Sequence, residues 1–310
     1  MAEFENNKYK IKIRDIKSPY ILRTIFSFLE EIQKLNMILY NKELQKKSFI
    51  DFEDYKKIRK KYRIIDKNGN GKEYLIESNK LIFDGGYLNG KRNGKGKEFD
   101  YEGKLIYEGE YLKGKRNGKG KEYYKNGQLL FAGEYLNGKK WNGNGYNIYG
   151  ELKFEIKEGK GYIKEYGFYS GKLVFEGEYK NGEKNGNGKE YDCNYKLIFE
   201  GIYLNGRRNG KGKEYYSNGQ ILFEGEYING KIWNGNGYNI QGNFEFEIKD
   251  GKGNVKEYDY FRGKLLFVGE YRNGERNGRG IEYDYDHNIR FIGEYLNGKR
   301  IYKTHKQNHN

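Results

Sequence analysis

The sequence predicts a mainly β chain, an elongated antiparallel β-hairpin meander preceded by a small α-helical N-terminal head. Three observations predict it. A long word recurs almost unchanged: FDGGYLNGKRNGKGKEF from Phe83, YEGEYLKGKRNGKGKEY from Tyr107, FEGEYKNGEKNGNGKEY from Phe175 and FEGIYLNGRRNGKGKEY from Phe199. Inside each word, polar and apolar residues alternate with the period of two that marks a half-buried strand. The 45 glycines follow no triplet period and there is a single proline, which describes a chain full of turns whose strands keep their ladder donors.

The aromatic opening each unit falls at Phe83, Tyr107, Phe131, Phe175, Phe199, Phe223, Phe267 and Phe291, at spacings of 24, 24, 44, 24, 24, 44 and 24 residues. Each 44-residue gap holds a shortened unit, FEIKEGKGYIKEY from Phe154 or FEIKDGKGNVKEY from Phe246, so there are eight full units and two short ones. A longer period of 92 relates 83, 175 and 267, and likewise Trp141 and Trp233, as if a block of four units had been duplicated. Within one unit, Leu105, Tyr107 and Tyr111 are expected on one face, with Glu108 and Glu110 on the other. Leu112 to Gly118 reads as a glycine-bearing loop, Lys119 to Tyr124 as a second strand, and Lys125-Asn126-Gly127-Gln128 as the return turn. Such a hairpin cannot bury its own aromatic face and must pair with the next. At about 4.8 Å per strand, ten units would extend roughly 100 Å.

Three regions follow: a basic helical head at 1–65, the repeat array at 66–300 with a degenerate first half-unit, and a polar, disordered tail at 301–310. In the head, Ser18-Pro19 is a helix start, and Ile21, Leu22, Ile25, Phe26, Leu29, Ile32 and Leu35 follow at helical spacing. Phe49, Phe52, Tyr55, Ile58, Tyr62 and Ile65 predict a further helix. Net charge is +15, and the head is the denser basic part, with 16 Lys/Arg against 9 Asp/Glu. That balance suits an anionic partner, and equally a composition in which Lys, Asn, Ile and Tyr are simply abundant.

The word (Y/F)-x-G-E-(Y/W)-x-x-G-x-x-x-G-x-G, present from Phe83 to about Arg300, resembles the MORN repeat, with Gly86 and Ile202 departing from its usual Glu. The resemblance implies a non-enzymatic scaffold, of a kind linked to membrane-associated assemblies and anionic lipids. Residues 18–47 resemble a divergent F-box through Pro19, Ile21-Leu22, Ile25 to Leu29, Leu35 and Tyr40-Asn41-Lys42. That second resemblance implies an adaptor of a cullin-type ubiquitin ligase as partner. The alternative for the same helices is a cap over the first sheet edge.

Chemistry has little footing. Asp66 to Glu77 satisfies the EF-hand expression, but its second half aligns with the repeat at Asn93 and strand-like residues follow, so a repeat fragment is expected rather than a calcium site. The three histidines, His287, His305 and His309, lie at no motif spacing from Cys193 or a serine, and the Gly-x-Gly words precede no helix. No catalytic, cofactor-binding or metal residue is assigned, and the chain reads as non-enzymatic. The candidate binding residues are of two kinds. Lys91, Arg92, Lys115, Arg116, Lys139, Lys140, Arg207, Arg208, Lys299 and Arg300 are expected at loop tips, lined along one edge as an anionic-surface row. Tyr87, Tyr111, Tyr135, Tyr179, Tyr203, Tyr227, Tyr271 and Tyr295 are expected to leave part of an aromatic groove open for a peptide or a second copy. Protein partners and anionic lipid are thus the expected ligands and a homodimer is compatible with them. Nucleic acid is favoured least, because the aromatics are locked in strand register. With no apolar leader or spanning stretch and a lone cysteine, a cytoplasmic chain, peripheral at membrane or cytoskeleton, is expected.

Overall fold

The computed structural model describes residues 61–301, and every element among them is a strand. A first sheet comprises β1 (Lys61–Ile65), β2 (Asn70–Leu75), β3 (Leu81–Leu88), β4 (Lys91–Phe99), β5 (Leu105–Leu112), β6 (Lys115–Tyr123), β7 (Leu129–Leu136), β8 (Lys139–Tyr146) and β9 (Leu152–Ile156). A second comprises β10 (Gly161–Tyr166), β11 (Leu173–Lys180), β12 (Glu183–Tyr191), β13 (Leu197–Leu204), β14 (Arg207–Tyr215), β15 (Ile221–Ile228), β16 (Lys231–Tyr238) and β17 (Phe244–Ile248). The third comprises β18 (Gly253–Tyr258), β19 (Leu265–Arg272), β20 (Glu275–Tyr283), β21 (Ile289–Leu296) and β22 (Lys299–Ile301). Within each sheet, strands consecutive in sequence pair antiparallel, which is the expected meander.

The meander is divided where the shortened units fall. Between β9 and β10, and between β17 and β18, only an isolated bridge remains, Lys157 with Lys160 and Lys249 with Lys252. The core nevertheless continues, since Phe154, Ile156 and Ile163 belong to one buried cluster. Trp141 seals the joint: a Cβ on Gly159 would lie 2.8 Å from its ring, and Gly251 meets Trp233 in the same way.

Three expectations change. The loop after Leu112 is only Lys113-Gly114, both in the left-handed region (φ 51° and 88°), the geometry of a type I′ hairpin turn. Lys115 to Gly118 therefore belongs to β6. Its Asn-Gly occupies a bulge, because Gly109 pairs with Gly120 while Tyr111 already pairs with Arg116. The second change is at β1, where Tyr62 and Ile65 lie on a strand paired with β2, not on a helix. The third is Ile301, expected in the tail, which ends β22. The rest of the head, including the F-box-like stretch, and residues 302–310 lie outside the described residues.

The tips are stitched to one another. Gly114 N donates to Arg92 O and Gly138 N to Arg116 O, both at 2.8 Å, and the Asn117 side chain accepts from Asn137 N. This tip ladder crosses the first sheet break through Gly159 N to Trp141 O and Gly182 N to Gly159 O. At the opposite edge, Gly127 N donates to Tyr124 O and Asn126 Oδ1 accepts from Gln128 N, closing the return turn.

A row of glycines runs across the strands, each paired with the next: Gly85, Gly96, Gly109, Gly120, Gly133 and Gly143. The aromatic rings lie on this bare backbone, and a Cβ on Gly120 would sit 2.7 Å from Tyr107 Cζ. Because they lie flat, the rings reach each other edge to face across units. Phe83 meets Tyr111 at 5.2 Å, Tyr107 meets Tyr111 at 5.5 Å and Tyr135 at 5.3 Å, and Phe131 meets Tyr135 at 5.5 Å. The second sheet repeats the zigzag through Phe175, Tyr203, Phe199, Tyr227 and Phe223.

Candidate interaction site

The aromatic face is closed by its own residues. Above the opening ring of a unit lies a cation, with the Arg116 guanidinium 3.9 Å from the Tyr107 centroid and Arg208 3.9 Å from Phe199, except at Phe223, where Ile232 takes the cation's place in the sequence. These cations are held by the glutamate of the K-E-(Y/F) word, from their own strand and from the strand two positions earlier in the sheet. Arg92 binds Glu98 at 2.8 Å, Arg116 binds Glu98 at 2.6 Å and Glu122 at 2.5 Å, and Lys140 binds Glu122 at 2.7 Å. An alternating ion chain therefore covers the aromatic row. Burial pushes the Glu122 carboxyl up, but Lys140 and Arg116 outweigh it and hold it below the usual carboxylate range.

This geometry relocates both sets of candidates. Tyr87, Tyr111, Tyr135, Tyr203, Tyr227 and Tyr295 are buried, and Tyr179 and Tyr271 half-buried, so no aromatic groove stands open along them. The missing second layer is replaced by interlocked rings under Arg and Glu. Of the basic pairs, Arg92, Arg116, Lys140, Arg208 and Arg300 carry ion pairs on the aromatic face, and Lys139 pairs with Glu183 at 2.8 Å. Lys91, Lys115, Arg207 and Lys299 are exposed beside the tips.

Burial also raises the tyrosines of this face, Tyr87 and Tyr107 to about 12. The neutral phenol is thus the form the fold favours. That stabilisation is complete below about pH 10, the unfolded value, and is lost as pH rises through about 12. We expect a phenolate absorbance titration to be delayed by about two pH units for these residues in the native chain relative to urea, with unfolding accompanying their ionisation.

The opposite face is striped with charge. Lys95 and Lys97 on β4, Glu108 and Glu110 on β5, and Lys119 and Lys121 on β6 point away from the rings, so neighbouring strands carry opposite signs. Lys97 reaches Glu108 at 3.8 Å, and in the second sheet Lys189 reaches Glu200 at 3.7 Å and Lys213 reaches Glu224 at 3.3 Å. Tyr123 Oη donates to Glu108 at 2.6 Å, and Tyr191 to Glu176 at 2.7 Å, fixing the carboxylates. The striped face forms grooves of about 970 Å³ in the first sheet and about 650 Å³ in the second. The sequence places Glu108 and Glu110 opposite the aromatics, as observed, and the lysines that alternate with them are not among its candidate residues. The signal was K-G-K beside E-G-E, like charges two residues apart on strands that pair.

Asp66 stands between two strands, β1 and β2. Its Oδ1 accepts from Asn68 N at 2.8 Å and Asn70 N at 2.9 Å, closing the β1–β2 turn. Asp100, Asp192 and Asp284 do the same in later units. No cluster of three or more His, Cys, Asp or Glu among the described residues could hold a metal ion.

The family model described as MORN repeat matches residues 83–103, 107–129, 175–196, 199–221 and 267–289. These units are MORN repeats. The two-strand hairpin with its aromatic, glycine row and charged tip is the MORN unit of this chain, and the family is in general an interaction module. A comparison with curated proteins gives no match. Among solved structures, the chain is similar to one in the crystal structure of TcdB2-TccC3-Cdc42, at 9% identity, covering 73% of this chain and 15% of that one, with a TM-score of 0.15. A chain of TcdB2-TccC3 is similar at 11% identity, with coverage of 76% and 18% and a TM-score of 0.15. The chain spans less than a fifth of those chains, and likeness at this level supports no argument.

Proposed function

We propose that this MORN chain is a non-enzymatic scaffold that holds a protein partner along the charge-striped face. The observation that supports it is the closure of the aromatic face, which leaves the grooves over Lys95, Lys97, Glu108, Glu110, Lys119 and Lys121 as the broad surface offered to a ligand. Alternating stripes about 4.8 Å apart reward a partner of matching alternation and repel a uniformly charged one.

The test replaces Lys95, Lys97, Glu108 and Glu110 by Gln together, which leaves net charge unchanged and removes two stripes. The wild-type chain is expected to capture a protein from its source lysate in a salt-sensitive manner, and the variant to lose it. Equal capture by both would overturn the reading. A membrane reading has its own support in exposed Lys91, Lys115, Arg207 and Lys299. Sedimentation of the full chain with vesicles containing an anionic lipid, at physiological salt, decides between them. Four cations at about 1 kcal/mol each are expected to give weak, salt-labile binding; salt-resistant sedimentation would favour the membrane.

A further inference from the structure

The 92-residue period supplies an internal control for the last sheet. On the striped face of the second sheet, Glu176, Lys189 and Glu200 pair in a row across β11, β12 and β13. The same row in the third sheet is Val268, Ile281 and Ile292, paired across β19, β20 and β21. A charged row has become an aliphatic one, and Ile292 is 64% exposed. The surroundings follow suit. Tyr191 donates to Glu176, whereas Tyr283 in the equivalent place finds Val268 there and stacks on His287 at 4.8 Å. Ile289, paired with Tyr283, is 58% exposed and widens the apolar patch.

The charges beside this row persist. Arg279 on β20 lies across from Glu294 on β21, each two residues from its isoleucine on the same face. We propose that this face binds a second copy of the chain about a two-fold axis parallel to the strands, running between β20 and β21. That rotation sets Ile281 over the partner's Ile292 and Ile292 over the partner's Ile281. It also sets Arg279 over the partner's Glu294 and the reverse, so unlike charges meet twice and apolar side chains meet apolar ones. The surface is self-complementary because adjacent strands alternate in sign. In the first two sheets the same rotation would bury paired lysines and glutamates at a desolvation cost that their Coulomb attraction does not offset. Beyond β21 only Glu294 to Leu296 is covered by β22, so no described strand crowds the approach beside Ile289 and Ile292. The patch, roughly 300 Å² from its strand spacing, is smaller than the ~800 Å² per partner of a standard interface, which makes the dimer a reversible one.

Sedimentation equilibrium of the full chain over a wide concentration range tests the proposal. The wild-type chain is expected to show a monomer–dimer equilibrium. The triple variant Val268→Glu, Ile281→Lys, Ile292→Glu rewrites the row as the one that already folds in the second sheet, and its dimer should weaken about 100-fold with the melting temperature kept. Arg279→Glu should weaken the dimer, and adding Glu294→Arg should restore it. A wild-type chain that stays monomeric, or a dimer that survives the triple variant, would overturn the proposal.

Discussion

Gly109→Ala is expected to destabilise the array by about 3 kcal/mol, the upper end of overpacking costs. The new Cβ would lie 2.6 Å from Gly120 Cα, 2.7 Å from Lys119 O and 2.4 Å from Tyr107 Oη. Two of those atoms are backbone of the paired strand and cannot turn aside without breaking the ladder. The third belongs to a fully buried ring fixed beneath Arg116. Gly127→Ala separates this crowding from the ordinary loss of a glycine. Nothing lies within 4 Å of that Cβ, and its φ of 84° alone should cost about 1 kcal/mol. Urea unfolding of the two variants beside the wild type measures the difference, and equal midpoints would refute the role given to the glycine row.

Arg116→Met is expected to cost a further ~3 kcal/mol, by a different route. It leaves Glu98 and Glu122 facing each other without the cation between them, and breaking such a pair typically costs 3–5 kcal/mol. The lower end applies because Arg116 keeps 24% and the carboxylates 17% and 18% of their side-chain exposure. Arg116→Lys should recover most of the loss, since Lys140 and Lys184 already perform the task in their own units. The same chain sets the acid limit. Burial opposes the charge of Glu122 and Glu190, but Lys140 and Arg116 on the one, and Arg208 on the other, outweigh it and leave both below the usual range. A depressed carboxylate contributes stability above its unfolded value of about 4.3 and loses it as pH falls through the folded value. Thermal melts of the wild type should therefore fall steeply below about pH 4, and those of Arg116→Met less steeply.

Much of the fold could be read in the chain, because the features that build it repeat. The period of 24 and the strand alternation of Tyr107 and Tyr111 against Glu108 and Glu110 foretell hairpins and faces, whereas the division into three sheets at the shortened units departs from the single continuous meander that the repeat implies. The candidate site was harder for a physical reason. Lys115-Arg116-Asn117-Gly118 has the composition of a turn, and only the pairing register shows that its glycine sits in a bulge and its arginine points at the rings. Once Arg116 was placed in a loop, nothing remained to cover Tyr111, and an open groove followed. The Val268, Ile281, Ile292 row was equally present in the sequence, but its meaning depends on which residues face each other across strands.

The joints at Trp141 and Trp233 recur with the 92-residue period, and β10 and β18 begin their sheets with the same Gly-x-(Ile/Val)-Lys-Glu-Tyr strand. A block can therefore be inserted or deleted between two joints without altering either neighbour. Each such change alters the array by eight strands, about 38 Å of sheet. The chain is in this respect a ruler graduated in whole blocks, and its relatives should differ in reach by discrete steps.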